Sequence, residues 1–152
     1  MTIGKAKKFN IKKFMKKYQI PNAFYRVSVK GLILDETRKK FLVIQEDNKW
    51  WELPGGGNDS WGESPEEALK REIKEEMGLT VTKVNPDLKY YIIFNKKKTW
   101  IINLVFEVKV KNLNFTPTYE CQKIQFISPK DINKMNVFGN VKKLAKLFNS
   151  KK

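Results

Sequence analysis

GGGNDSWGESPEEALKREIKEEMGLT, residues 55–80, holds the pattern that organises the whole chain. Seven of the sixteen acidic residues fall in the 23 positions from Gly57 to Leu79, three of them in REIKEE, although the formal charge of the chain is +15. Ser64-Pro65-Glu66-Glu67 predicts a helix start, with Ser64 as cap, Pro65 at the first helical position and Glu67 closing a capping box. Gly78 predicts its end. At about 100° per residue, Leu69, Ile73 and Met77 share a face that should bury against a sheet. Glu72, Glu75 and Glu76 sit beside that face at i, i+3 and i+4, with Ala68 keeping their sector uncrowded.

Three carboxylates this close repel one another and raise each other's pKa unless a cation compensates. Arg71 can pair with Glu75 one turn on, which relieves one or two acids as in an ordinary charged helix. It does not explain why the glutamates adjoin the apolar face. Carboxylates there suit a hard divalent ion, Mg2+ or Mn2+, bound through oxygen. Spacing alone leaves both readings open. The glycine run, Gly55 to Gly57, lets backbone approach something that a side chain would exclude, but no Gly-Lys-Ser/Thr follows and it is not a P-loop.

Composition narrows the chemistry. The 152 residues suffice for one domain with a real core, and 41% hydrophobic residues exclude a wholly disordered basic chain. One cysteine, Cys121, allows no intramolecular disulfide, and the absence of histidine removes the usual zinc sites. A metal would be held mainly by oxygen. No run of about 18 apolar residues occurs, so no helical membrane span is expected, and the basic N-terminus lacks a secretory pattern. The expected location is cytoplasmic. Of 31 basic residues 28 are lysines, which fits either a lysine-biased proteome or a polyanionic partner.

Residues 5–20, KAKKFNIKKFMKKYQI, read as a basic amphipathic helix carrying Ile11, Phe14, Met15 and Tyr18 and ended by Pro21, an extension (1–20) before a domain at 21–152. It packs on the domain, or serves as an arm for a membrane surface or nucleic acid. FYRVSVKGLIL (24–34) and FLVIQ (41–45) read as strands joined in a hairpin, followed by WWEL (50–53). VTKVNPDLKYYIIF, TWIINLVFEVKV and CQKIQFIS supply three more strands. SPKDINKM is a short helical turn, and Val137, Val141, Leu144 and Phe148 mark a terminal helix. Strands with helices packed on them make an α/β or α+β layered domain.

The stretch Gly57, five residues, Glu63, seven residues, Arg71-Glu72-Ile73-Lys74-Glu75-Glu76-Met77-Gly78-Leu79 resembles the Nudix box of the Nudix hydrolases at every specified position. The likeness extends from about Phe24 to Phe148 and implies an α/β/α sandwich with a mixed sheet flanked by helices. It implies that Glu72, Glu75 and Glu76 coordinate Mg2+, with Mn2+ as an alternative, that Arg71 holds the glutamates, and that Gly57 offers backbone to the metal site. Glu63 would brace the box. Glu120, just before the last strand, is the matching position for a glutamate outside the box that acts as general base or further ligand. The implied reaction is water attack on phosphorus in a nucleoside diphosphate linked to another moiety.

The substrate is less determined. Subgroup features that follow the box fall here on Phe94, Asn95 and Lys96, which match neither the ADP-ribose nor the diadenosine-polyphosphate pattern. A nucleotide such as a nucleoside triphosphate leads. The 5′ end of RNA is an alternative partner, and a regulator of the same fold without turnover is another. Phe24, Tyr25, Tyr90 and Trp100 are candidates for stacking, and Arg26, Lys30 and Lys89 for phosphate. The sequence leaves monomer and homodimer open, with Trp50-Trp51 as one apolar edge.

Overall fold

A computed structural model describes residues 10–19, 24–47 and 49–148. Along β1 (Arg26–Leu32) the side chains alternate between two environments. Val29 is fully buried, and Gly31 leaves room for Ile73 and Val108, while Arg26, Ser28 and Lys30 turn to the other side and line a cleft.

The strand predicted over 24–34 pairs with the next one as a hairpin only at its end, where Leu42 N donates to Ile33 O at 2.8 Å and Asp35 N to Lys40 O at 3.1 Å. After Leu32 the chain makes one bridge, Leu34 to Phe41, and β2 (Phe41–Gln45) enters a different sheet. There it lies antiparallel to β3 (Trp51–Glu52) and to the last strand, β6 (Lys123–Ile127). β1 instead runs parallel to β5 (Thr99–Val110), which pairs antiparallel with β4 (Val81–Lys96). The order β1-β5-β4 is therefore a mixed sheet, beside an antiparallel sheet β3-β2-β6. β4 carries register shifts between Val81 and Tyr90, in the stretch that contains Pro86.

Helix α2 (Pro65–Met77) follows its sequence signals closely. Ser64 Oγ accepts from Glu67 N at 3.2 Å, Glu67 Oε2 accepts from Ser64 N at 2.8 Å, and Gly78 closes the helix at φ +68°. Ala68, Leu69, Ile73 and Met77 are fully buried against Val29, Phe106 and Val108. Removing a side chain of that kind costs about 2–5 kcal/mol. On the opposite face Leu32, Phe41, Val105 and Ile127 pack with Val141 and Leu144 of the last helix, Gly139–Leu147, preceded by a 3-10 helix at Pro129–Lys134. The mixed sheet is thus covered on both faces by helices, as an α/β sandwich.

The basic segment forms helix α1 (Ile11–Tyr18), capped by Asn10, with Met15 buried and Ile11, Phe14 and Tyr18 largely exposed. Residues 5–9, 20 and 21 lie outside the described residues. No helix among the described residues is long and apolar enough to cross a membrane. Cys121 is buried, and burial pushes its thiol up to about 12.

Candidate active site

The glycine run is an irregular edge beside β1. Val29 N donates to Gly56 O at 2.8 Å, Gly31 N to Pro54 O at 2.9 Å and Asn58 N to Val27 O at 3.3 Å. Gly55 has φ +110°, and a side chain there would strike the Val29 carbonyl. Glycine is required because two backbones meet.

This edge lies against the acidic flank of α2. Glu76 Oε2 accepts from Gly55 N at 2.8 Å, and the Glu72 carboxylate occupies the place a Gly56 side chain would take. Two carboxylates thus rest on adjacent glycines. Burial pushes the Glu76 carboxyl up to about 8, with Glu72 adding to the rise against the opposing pull of Lys30 and the Gly55 N–H. A carboxylate so placed favours a cation beside it.

Arg71 organises the remaining acids. Its guanidinium donates to Glu63 through Nε and Nη2, to Glu72 Oε1 at 2.6 Å, to Glu75 Oε2 at 3.3 Å and to the Gly57 carbonyl at 3.2 Å. Glu63 is held below the usual carboxylate range by these bonds. Glu75 remains more than half exposed.

The cleft beside the glycine edge has a volume of about 540 Å3, within the range of small-molecule sites. Glu76 and Gly55 to Gly57 form one wall, whereas Glu72 and Glu75 are bonded to Arg71 and do not line it. Glu120 lies at the rim, accepting from Tyr119 Oη at 2.6 Å. Its loop is tied to α2 by Thr118, whose hydroxyl donates to the Glu76 carbonyl at 2.9 Å and accepts from Cys121 N at 3.0 Å. Among the described residues, no three acidic or cysteine side chains converge as a ready ligand set. The donors nevertheless suit a hard divalent ion: carboxylates on one helical flank, two of them against backbone, with no soft ligand among them.

The floor of the cleft was not legible in the sequence. Glu52, on the two-residue β3, is 5% exposed and accepts from Lys96 Nζ and Asn140 Nδ2, each at 2.8 Å, while Lys30 Nζ lies at 3.2 Å. Lys30 also donates to the carbonyls of Leu53 and Gly55. An ammonium has three donors, so Lys30 is engaged internally and is not a free phosphate ligand. Arg26 lines the cleft in an ion pair with Asp59 at 2.9 Å. Lys89 lies away from the cleft, near Glu107. Of the aromatics, Phe94 and Tyr119 line the cleft. Tyr25 and Trp100 instead face each other with ring centres 6.5 Å apart, Phe24 is exposed outside it and Tyr90 packs into the core.

A NUDIX domain profile matches residues 24–148. The chain belongs to the Nudix hydrolase family. Among curated relatives, the nucleoside triphosphatase NudI of Enterobacter sp. (strain 638) is 33% identical over 96 residues, which cover 57% of this chain and 67% of that protein. NudI of Escherichia coli (strain SE11) is 36% identical over 91 residues, covering 54% of this chain and 64% of the relative. The matched stretch spans about two thirds of these relatives' length. Among solved structures, the MutT protein from Methanosarcina mazei Go1 superposes with a TM-score of 0.69 at 25% identity, covering 84% of this chain and 94% of the other. A UDP-X diphosphatase at 20% identity shares the fold, with a TM-score of 0.64 and coverage of 91% and 67%.

In this Nudix chain the box residues named from the sequence meet around Arg71 and the glycine edge. Glu120 belongs to the same cleft but lies on its rim. Glu52, Asn103, Asn140 and Thr118 escaped sequence reading, because their partners are 42 to 88 residues away in the cases of Thr118–Glu76 and Asn140–Glu52.

Proposed function

We propose that this Nudix protein hydrolyses the pyrophosphate linkage of a nucleoside triphosphate or a similar nucleotide with the help of Mg2+. The observation that carries the reading is the seating of Glu76 and Glu72 on adjacent glycines beside a nucleotide-sized cleft. The NudI relatives support a nucleoside triphosphate as substrate, and the MutT-like fold is compatible with it.

Glu72, Glu75 and Glu76 would hold the metal, with the Gly57 carbonyl as a further oxygen donor. Mn2+ suits the same donors. When bound, the ion neutralises phosphate oxygens and acidifies water. Arg71, bonded to Glu63, Glu72 and Glu75, offsets the repulsion among the glutamates. The glycine edge lets a diphosphate approach backbone that any side chain would block. Glu120, at the rim, would accept a proton from an attacking water. Arg26 and Lys97 supply positive charge along the cleft for phosphate.

The test is Glu75→Gln, assayed with Mg2+ against nucleoside triphosphates, ADP-ribose, nucleotide sugars and 5′-triphosphate RNA. Glu75 is more than half exposed, so the variant should keep its melting temperature while turnover falls by about 100-fold or more. Unchanged turnover would overturn the metal assignment. A folded wild-type protein inactive on the whole panel would overturn the enzymatic reading in favour of a regulator.

A further inference from the structure

Asn103 sits near the middle of β5, is 1% exposed, and lines the cleft. Its Oδ1 accepts from Asn140 Nδ2 at 2.9 Å, but its own Nδ2 has no partner among the described residues. A buried amide N–H left unpaired costs about 1–3 kcal/mol, so its persistence at a cleft wall calls for an acceptor brought from outside.

Its orientation is forced by its neighbours. Asn140 Oδ1 accepts from Val141 N at 2.9 Å, and Asn140 Nδ2 faces both Glu52 Oε1 and Asn103 Oδ1. Turning Asn140 over would set its oxygen against the Glu52 carboxylate and its NH2 against a backbone N–H. Asn140 therefore presents NH2 to Asn103, and Asn103 must answer with oxygen. What remains for the cleft is a donor. Asn140 is fully engaged and reads nothing itself.

The position suits the far end of a nucleotide. Asn103 is the register partner of Ser28 on β1, and Ser28 bridges to Gly57 on the glycine edge. Two strand spacings of about 4.8 Å put Asn103 roughly 10 Å from the edge, about the distance from a diphosphate to its base.

We propose that Asn103 is a specificity residue whose Nδ2 donates to a ring carbonyl of the base, held donor-outward by Asn140 and Glu52. The preferred substrates are nucleotides with an oxo group on the base edge that enters the cleft. Adenine, the one common base without a ring carbonyl, is disfavoured. This rests on the proposed nucleotide hydrolase reading and names its substrate class.

ITP and ATP test it, since they differ at ring position 6, carbonyl against amine. The wild-type protein should show kcat/KM for ITP about tenfold or more above that for ATP, the equivalent of one charge-neutral hydrogen bond. Asn103→Leu should bring that ratio close to one by lowering the ITP value and leaving ATP within about threefold. Asn140→Leu frees the Asn103 amide to turn over and should also collapse the ratio, a change that loss of packing alone would not produce. Asn103→Asp, the same size with an acceptor toward the ligand, should shift preference toward ATP, and serves if the leucine variant folds poorly. A wild-type ratio of one or below, or a ratio unchanged in Asn103→Leu, overturns the proposal. If no nucleotide is turned over, the hydrolase reading fails by itself. The relative Kd of ITP and ATP by calorimetry then decides the base preference by the same ratio.

Discussion

Arg71 and Glu63 meet fork to carboxylate, Nε to Oε1 at 2.8 Å and Nη2 to Oε2 at 3.0 Å, and this pair anchors the acidic flank of the Nudix box. The remaining guanidinium nitrogen is then aimed at Glu72 and Glu75. Lysine keeps the charge but cannot make the paired bonds. Arg71→Lys is expected to lose about 1–2 kcal/mol of stability, a bidentate pair discounted because the guanidinium is one-third exposed. Activity should fall further than stability, since Glu72 and Glu75 lose their common anchor. Urea melts and kcat/KM measured on the same preparation check this, and a variant with native activity would show that Arg71 is only a surface ion pair.

The adjacent glycines are expected to fail in different ways. A methyl at Gly55 would strike the Val29 carbonyl, in a backbone conformation that disfavours any side chain. Gly55→Ala should cost about 3 kcal/mol or more and compromise folding. A methyl at Gly56 would meet the end of the Glu72 side chain, which can swing away. Gly56→Ala should fold, melt within a few degrees of wild type, and require about tenfold more Mg2+ for half-maximal turnover, a shift typical of disturbed support around a metal ligand. Equal Mg2+ requirements would detach Glu72 from the metal site.

These contrasts mark what could be read from one sequence. Helix α2 was legible because its cap, its buried stripe and its stop all lie within Ser64 to Gly78. The box placed Arg71 among the glutamates for the same reason. The pairing of β1 was not legible, since Arg26 aligns with Ile101 across a parallel contact that no local turn announces. Lys30 invited a phosphate role because lysines are usually exposed. Only the fold brings it onto Glu52 and two carbonyls. Asn103 and Asn140 looked like ordinary polar positions in a strand and a helix until their partners were in place.

The Glu52 cluster should make stability fall in acid. Burial alone would raise the Glu52 carboxyl, but Lys30, Lys96 and Asn140 together hold it down to about 2 from an ordinary value of 4.5. A carboxyl lowered on folding stabilises fully above its unfolded value, and that stabilisation is lost as pH falls through the folded one. The window is therefore about pH 4.5 down to 2, with on the order of 3 kcal/mol at stake. Glu52→Gln should be less stable at pH 7, because Lys30 stays buried with less counter-charge. It should also show a shallower decline between pH 4.5 and 2 than the wild type. Parallel unfolding free energies across that window would remove Glu52 as the source of acid sensitivity.

The turn from β4 to β5 holds a strain that the chain could shed. Lys96 pairs with Thr99 across a two-residue loop, and both loop residues, Lys97 and Lys98, have positive φ, 50° and 66°. That is the type I′ geometry in which Asn-Gly is preferred, because a Cβ crowds the carbonyl in the left-handed region. The cost is about 1 kcal/mol or more per residue for an ordinary side chain. Glycine at the second position relieves it while adding back part of the loss as unfolded-chain entropy. Lys98→Gly should therefore stabilise the protein by about 0.5–1 kcal/mol, visible as a higher urea midpoint with an unchanged slope. Lys97 lines the cleft and Lys98 does not, so the Lys98 change should leave kcat/KM unaltered. A lower midpoint would mean that the lysine stem at 98 makes packing worth more than the strain it carries.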